Sequence, residues 1–429
     1  MTYEQAMDYL ANLYTFGINL GMARIERLLD LMQHPERRFK TVHVTGTNGK
    51  GSTTAMLSAI LTAAGIRTGM YTSPHLEDYP ERMMINGEMI SREAFAGVLE
   101  FTSRFVDQIV AEGGEQPTEF EVLTAAAFHY FAAAGAEYVV VEVGLGGLLD
   151  STNVILPEVS VITNVTLEHT DRCGNTIAEI AAHKAGIIKP ATPVVTAAKG
   201  EALEIICRTA AEKQGQVYVW GHDFASVLHG VKNAQQQITV GTKKLGTIDA
   251  NLNLLGRHQL ENSAVAVMAA LVLADKEPRI TPEAIRAGLA KVTWPGRFEV
   301  LAGTPTLVID GAHNPDGARV LRENLDDAFP GRQITFALGI LKDKDVAGII
   351  NTMIHPDDVV VTVQPHSERA ATAEEIAGQI TARHVETAES IGDGIRRATD
   401  LAGPEGIVCV AGSLYLIGEA RQIIMAARQ

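Results

Sequence analysis

Positive charge is scarce in this chain: 36 Lys and Arg stand against 51 Asp and Glu, a formal net charge of −15. Such an acidic balance excludes a general binder of nucleic acid or of a membrane surface. A protein of this kind that handles anionic substrates must gather its basic groups locally. Cysteine is nearly missing: Cys173, Cys207 and Cys409 lie far apart, with neither metal-ligand spacing nor a disulfide framework, as suits a reducing compartment. No uninterrupted apolar run reaches the about 18 residues of a membrane span. The start, "MTYEQAMDYLANLY", lacks the basic and apolar regions of a secretory signal. Internal repeats and low-complexity segments are missing as well. These absences leave a globular protein expected in the cytoplasm. Its 429 residues exceed what one core organises, so two domains are expected.

What is present is an alternation of short apolar runs and helical stretches. Residues 3–32 read as helical with a break at "FGINLG" (Phe16–Gly21), and Ile25, Leu28, Leu29 and Met32 recur at helical spacing. "KTVHVTG" is a strand, "STTAMLSAILTAAG" a helix ending at Gly65, and "RTGMYT", "EYVVVEVG", "VSVITNV" and "TPVVTA" are further strands. Helices at Glu119–Ala134 and Thr176–Gly186 fall between them. Buried strands alternating with helices predict a mainly parallel sheet covered on both faces. Gln216–Leu254 is poor in helix signals and reads as a small β insert. A second alternating series starts at "TLVIDGAHNPDGARVL" and runs through "ITFALG", "DDVVVTV" and "GIVCVAGSLY". The boundary is placed at "KVTWPGRFEV", giving domains 1–295 and 296–429.

The chemistry concentrates at strand ends. "HVTGTNGKGSTTA" (His43–Ala55) departs from the usual phosphate loop, with Val44 where its first Gly belongs and Gly51 after the lysine. Gly46, Gly49 and Gly51 would nevertheless let backbone amides approach phosphate oxygens at a helix N-terminus. Lys50 would supply the point charge, and Ser52 or Thr53 could reach phosphate or Mg²⁺. The competing reading is a tight strand–helix turn with a solvated lysine. Ser73 follows a strand's carboxyl end, where open α/β sheets bind ligands, although a surface loop capped by Ser73 and Pro74 fits as well. Glu142 sits in an apolar strand, a costly place for a carboxylate unless it is paired or holds a metal. The nearby Gly144, Gly146, Gly147 and Asp150 fit a dinucleotide fingerprint poorly. Glu168, His169 and Asp171 come directly after another strand. Lys184 reads as a lysine whose stem is buried and whose head reaches water. Gln259, Asn262, Arg297, Asp310, His313 and Asn314 each have a local explanation as cap, linker charge or turn.

Together these stretches carry a resemblance. "HVTGTNGKGST", "SPHLEDYPER", "EVGLGGLLDSTN", "HTDRCGNTIAEIAAHKAGI", "GRHQLEN", "WPGRFE", "DGAHNP" and "GSLYLIGE" occur in order over nearly the whole chain. They resemble the folylpolyglutamate synthase/dihydrofolate synthase family of ATP-dependent Mur-type ligases. The resemblance implies an α/β protein with an N-terminal P-loop ATPase domain and a C-terminal Rossmann-like glutamate ligase domain, the reaction lying at their interface. It implies that Gly49, Lys50, Gly51 and Ser52 hold ATP phosphates and that Asn262, Arg297 and Asp310 contact ATP. By the same resemblance Ser73, Glu142 and His169 are Mg²⁺ ligands, and Lys184 is carbamylated and helps hold a second Mg²⁺. The resemblance further implies that Leu20, Gly21, Met22, Thr118, Glu119, Phe120, Glu121, Leu149, Asp150 and Ser151 line a pterin or folate pocket and that His313 and Ser413 lie near glutamate. By the resemblance, Lys50, Lys184 and His313 are expected nearest the chemistry.

Two positions depart from the family pattern: Leu148 where many bacterial members have Arg, and Arg172 where many have Trp. The implied activity joins L-glutamate to a folate, and in some members to dihydropteroate, through an acyl phosphate. The expected partners are ATP, the folate or dihydropteroate and L-glutamate, bound by a monomer. A Mur-type ligase acting on another acid, or a nucleotide-binding regulator without ligase activity, are the alternatives.

Overall fold

Runs of Val and Ile and the helices between them build two parallel sheets, in a computed structural model that describes residues 1–14, 21–168 and 170–428. The chain separates into two units, Met1–Asn253 with Gln259–Val292, and Leu254–His258 with Thr293–Gln429.

The first unit holds β1 (Lys40–Thr45), β2 (Thr68–Tyr71), β3 (Met83–Ile85), β4 (Glu88–Met89), β5 (Tyr138–Glu142), β6 (Val159–Ile162), β7 (Val194–Thr196) and β8 (Val217–Val219). They lie in the order β4-β3-β2-β5-β1-β6-β7-β8. From β2 to β8 every pairing is parallel, and β3 and β4 extend the sheet antiparallel. β5 is buried from end to end and β1 from Thr41 onward, which is why both are written as near-continuous apolar runs. The helices Lys50–Ala63 and His258–Ala274 are buried on most sides, and their small and aliphatic residues suit that position. Aromatic and aliphatic side chains such as Phe95, Phe128, Phe131 and Leu99 form a core with β2 and β5, so truncating one to Ala would cost about 3–5 kcal/mol for a Phe.

Two expectations need correction. The β insert is narrower than Gln216–Leu254: β8 hydrogen-bonds to β7 and belongs to the large sheet. Only β9 (Phe224–Lys232), β10 (Gln235–Thr242) and β11 (Gly246–Leu252) form the separate antiparallel sheet. "QVYVWG" has no local signal that distinguishes an edge strand of one sheet from the first strand of the next. In the second unit "TLVID" is not the first strand. β12 (Glu299–Leu301) precedes it and pairs antiparallel with β13 (Thr306–Asp310). β14 (Thr335–Leu338), β15 (Val359–Thr362), β16 (His384–Thr387) and β17 (Ile407–Ala411) complete a sheet ordered β12-β13-β17-β14-β15-β16, parallel beyond β12. Its core includes Val308, Phe336, Val360 and the free thiol Cys409.

Candidate active site

The carboxyl end of β1 runs through Gly46–Gly49 into the helix Lys50–Ala63, the strand–loop–helix context a phosphate loop needs. Two glycines are required by what surrounds them. A Cβ on Gly46 would fall 1.8 Å from Thr163 Oγ1, and one on Gly49, at φ 83°, would fall 2.3 Å from Asn262 Oδ1. The loop is tied to the segment after β6. Thr163 Oγ1 donates to the Asn48 carbonyl at 2.6 Å, and Asn164 accepts from Thr47 N at its carbonyl (2.9 Å) and from Asn48 N at its side chain (2.8 Å). The first intrahelical amide bond runs from Thr53 N to Gly49 O, so the amides of Lys50, Gly51 and Ser52 have no partner inside the helix. That places the amide cradle later in the loop than the glycine pattern alone suggests. Ser52 Oγ accepts from Gln259 Nε2 at 3.1 Å, and Gln259 Oε1 accepts from Asn262 Nδ2 at 3.0 Å.

Both lysines of the site converge on this loop. Lys50 Nζ donates to Gly46 O and Thr47 O, each at 3.0 Å, and Lys184 Nζ donates to the same Gly46 O at 2.8 Å. Lys184 is 5% exposed, so its head does not reach water as its sequence context suggests. Burial pushes its ammonium down to about 7, nearby Lys50 adds to the fall, and Glu168 opposes it. The helix Ile177–Ala185 that carries it starts at a capping box between Thr176 and Glu179. Glu142, buried at the end of β5, lies opposite Val44 of β1, two residues before the loop glycine. Its carboxylate accepts from Ser73 N at 3.2 Å. Ser73, Glu142, Lys50 and Lys184 therefore all border the carboxyl ends of β1, β2 and β5. His169 lies outside the described residues. Among the described residues no three His, Cys, Asp or Glu side chains cluster as a metal site.

The residues expected on the acceptor side divide. Asp150, 3% exposed, accepts from Leu145 N (2.7 Å), from Thr152 N (3.0 Å) and from the Thr152 hydroxyl, and burial raises its carboxyl. It closes the loop after β5 and caps Ser151–Val154. Thr118 and Glu121 form the capping box of the helix Glu119–Ala133, and Arg24 Nε donates to Glu121 at 3.0 Å. Glu119 accepts from Tyr79 Oη at 2.6 Å, and Phe120 stacks on Tyr71 with centroids 6.2 Å apart. Leu148 and Leu149 are exposed. Gly21 and Met22 lead into the helix Ala23–Leu31, while Leu20 lies outside the described residues.

In the second unit Asp310 ends β13 and accepts from Phe298 N and Ala312 N, each at 2.8 Å. Burial raises its carboxyl and Arg297 opposes that. His313 Nδ1 donates to Gly311 O at 2.7 Å. Asn314 caps the helix Pro315–Ala328 and Ser413 caps Leu414–Ala426. Sequence reasoning missed Thr163 and Asn164, whose polar side chains in apolar surroundings were the available signal, and read Gln259 only as a local feature of its helix.

A loop of this kind on a mainly parallel sheet, followed by a second α/β unit, is the arrangement expected of a Mur-type ligase. The Mur ligase middle domain matches residues 44–270, and the Mur ligase glutamate ligase domain matches 296–414. The chain is 35% identical to the dihydrofolate synthase/folylpolyglutamate synthase of Bacillus subtilis, over 98% of both proteins. Among solved structures it is similar to the Mycobacterium tuberculosis folylpolyglutamate synthase complexed with ADP, with TM-score 0.89, 33% identity and 98% of each chain covered. The Escherichia coli enzyme in complex with DHPP and ADP is another, with TM-score 0.88, 29% identity, and 100% and 99% covered. The chain belongs to the folylpolyglutamate synthase/dihydrofolate synthase family. It is an ADP-forming ligase. No helix among the described residues is long and apolar enough to cross a membrane.

Proposed function

We propose that the first unit binds ATP at Gly49–Ser52 and Asn262, and that the chain uses it to join L-glutamate to the terminal carboxylate of a folate. Dihydropteroate is proposed as a second acceptor, supported by the DHPP complex of the Escherichia coli relative. The observation that carries this reading is the pair of lysines on one carbonyl: Lys50 and Lys184 both donate to Gly46 O, beside the carboxylate of Glu142. In an acidic protein Lys50 is local positive charge of the kind a triphosphate requires, and Lys184, whose ammonium burial weakens, is placed beside it to serve the metal once carbamylated.

The acceptor's carboxylate oxygen attacks the γ-phosphorus, the bond to the β–γ bridging oxygen breaks, and ADP leaves. The amine of glutamate then attacks the acyl carbon, the C–O bond to phosphate breaks, and the proton the amine loses as the amide forms passes to the departing phosphate. Phosphoryl transfer of this kind depends on positioning and charge neutralisation more than on covalent help. Lys50 holds charge against the phosphates, and the amides of Lys50, Gly51 and Ser52 orient them. Arg297 and Asp310 are assigned to ATP, and His313 and Ser413 to glutamate. Glu119, Phe120 and Leu149 are assigned to the pteridine side, with Asp150 and the Thr118–Glu121 box shaping it.

The donor set at the carboxyl ends of β2 and β5 fits Mg²⁺. A buried carboxylate and a hydroxyl supply the hard oxygens this ion prefers, and few protein ligands leave room for water and phosphate. Ser73, Glu142 and His169 would hold it, with Lys184, once carbamylated, at a second ion. When bound, the metal neutralises phosphate charge and polarises the γ-phosphoryl group. A lysine pushed down to about 7 supports carbamylation, because only the neutral amine adds CO₂. The protein is proposed to act as a monomer in the cytoplasm.

ADP release measured with ATP, Mg²⁺ and L-glutamate, comparing tetrahydrofolate with dihydropteroate, tests the reading. Turnover with either acceptor supports it. Turnover with neither, alongside turnover on another carboxylic acid, overturns the acceptor assignment.

A further inference from the structure

We propose that His43 is a positioning residue for the acceptor: through Thr152 it fixes the carboxylate of Asp150, so the strand that ends in the phosphate loop also sets the loop beside the acceptor. The inference rests on the reading above, in which the Gly144–Ser151 loop lies on the acceptor side.

His43 and Thr45 are two residues apart on β1 and therefore share a face of the sheet. Both reach the same loop. Thr45 Oγ1 donates to Gly146 O at 2.6 Å, and His43 Nε2 lies 2.8 Å from Thr152 Oγ1. The direction of that second bond follows from counting protons. The single hydroxyl proton of Thr152 is given to Asp150 Oδ1, so the oxygen must accept from His43, whose Nε2 carries the hydrogen. A neutral imidazole in one tautomer thus orients a hydroxyl, and the hydroxyl orients a carboxylate. The carboxylate in turn gathers Leu145 N and Thr152 N and closes the loop.

The environment holds the imidazole in that state. His43 is fully buried, and burial together with Lys189 pushes it down to about 3, so it stays neutral at any working pH. Its Nδ1 has no hydrogen-bond partner among the described residues. A valine in this parallel strand would avoid burying an unpaired ring nitrogen. What the imidazole adds over valine is the Nε2 donor. The chain His43–Thr152–Asp150 spans more than a hundred residues of sequence and joins two functions of the fold at the edge of β1. Leu148, one of the two positions that depart from the family pattern, lies two residues before Asp150, and its carbonyl accepts from Asn153 Nδ2 at 3.0 Å, next to Thr152 of the relay.

The test uses the full chain and separates two Michaelis constants. KM for tetrahydrofolate (and for dihydropteroate, if used) and KM for ATP are measured for wild type, His43→Leu, His43→Gln, Thr152→Val and the double variant His43→Leu/Thr152→Val. We expect His43→Leu and Thr152→Val each to raise the acceptor KM about tenfold while the ATP KM stays within about twofold. His43→Gln, which keeps an N–H at a similar reach, should restore most of the loss. The double variant should be no worse than the more affected single one, because both cut one chain. An acceptor KM unchanged in folded Thr152→Val, an ATP KM rising in parallel, or multiplicative losses in the double variant would each overturn the proposal. Thr152→Val exchanges a hydroxyl for a methyl and keeps the test open even if His43→Leu does not fold. A wild type inactive on both acceptors would overturn the acceptor assignment and this inference with it. An active wild type whose variants show no split overturns the inference alone.

Discussion

Lys50 and Lys184 meet at one carbonyl oxygen but are placed there for different reasons. Lys50 starts a helix and is only part-buried, whereas Lys184 comes from the far end of another helix and is sealed in. Two ammonium groups near one acceptor repel, and burial penalises the inner one, which is why Lys184 is the lysine whose proton is weakened. Lys50→Ala should lower kcat for ADP release by about 10²–10³-fold or more, the scale on which single charge-stabilising groups act. Substantial glutamate-dependent turnover in that variant would remove the lysine from the phosphate site. Lys184 makes a separate, spectroscopic prediction. Protein equilibrated with ¹³C-bicarbonate should give a carbamate carbon resonance that is lost in Lys184→Arg, since a guanidinium stays charged and does not add CO₂. A resonance of equal intensity in the arginine variant would show that the carbamate sits elsewhere.

At the scale of elements, the helix Glu119–Ala133 shows how a predicted binding segment is also a structural joint. Thr118 and Glu121 spend their side chains on each other's backbone amides, and Glu121 also holds Arg24. Thr118→Ala should therefore cost about 1 kcal/mol of stability through loss of the cap, read as a lower urea midpoint. An unchanged midpoint with a raised acceptor KM would mean that the hydroxyl serves the ligand and not the helix. The elements themselves were largely legible. The strand–glycine–lysine–helix order announced the phosphate loop, and Glu142 and Ser73 were conspicuous because polar side chains at apolar strand ends must face something. The tertiary closures were not legible. Gln259 on Ser52, Thr163 on Asn48 and Thr152 on His43 pair residues about 110 to 210 positions apart, and nothing local in any of them encodes the partner. The assignment of β8 failed for a related reason: a three-residue strand carries too little pattern to declare which sheet it joins. The fate of Lys184 was equally hidden, because a lysine on an apolar helix looks the same in sequence whether its head turns outward or into a loop.

For the whole molecule, each unit carries a histidine that folding keeps uncharged. His43 in the first unit is pushed down to about 3 by burial and by Lys189; His258 in the second is pushed down to about 4 by burial and by Arg297, with Asn324 opposing. In the unfolded chain both titrate near their ordinary value of about 6.5. Between pH 6.5 and 4 the unfolded state therefore binds protons that the native state refuses. The stability is intact above about pH 6.5 and is lost as pH falls towards the native values. From pH 7 to 5.5 the loss is about 1 kcal/mol for His43, and less for the part-buried His258. Asp150 and Asp310, whose carboxyls burial raises, work in the opposite direction, so the histidine share must be read as a difference. Urea midpoints of wild type and of His258→Gln, compared at pH 7.5 and 5.5, give that difference. The wild type should lose more stability on acidification than the variant, because glutamine cannot take up a proton on unfolding. Equal losses in the two proteins would show that His258 titrates alike in both states, and that the acid sensitivity of the second unit comes from another group.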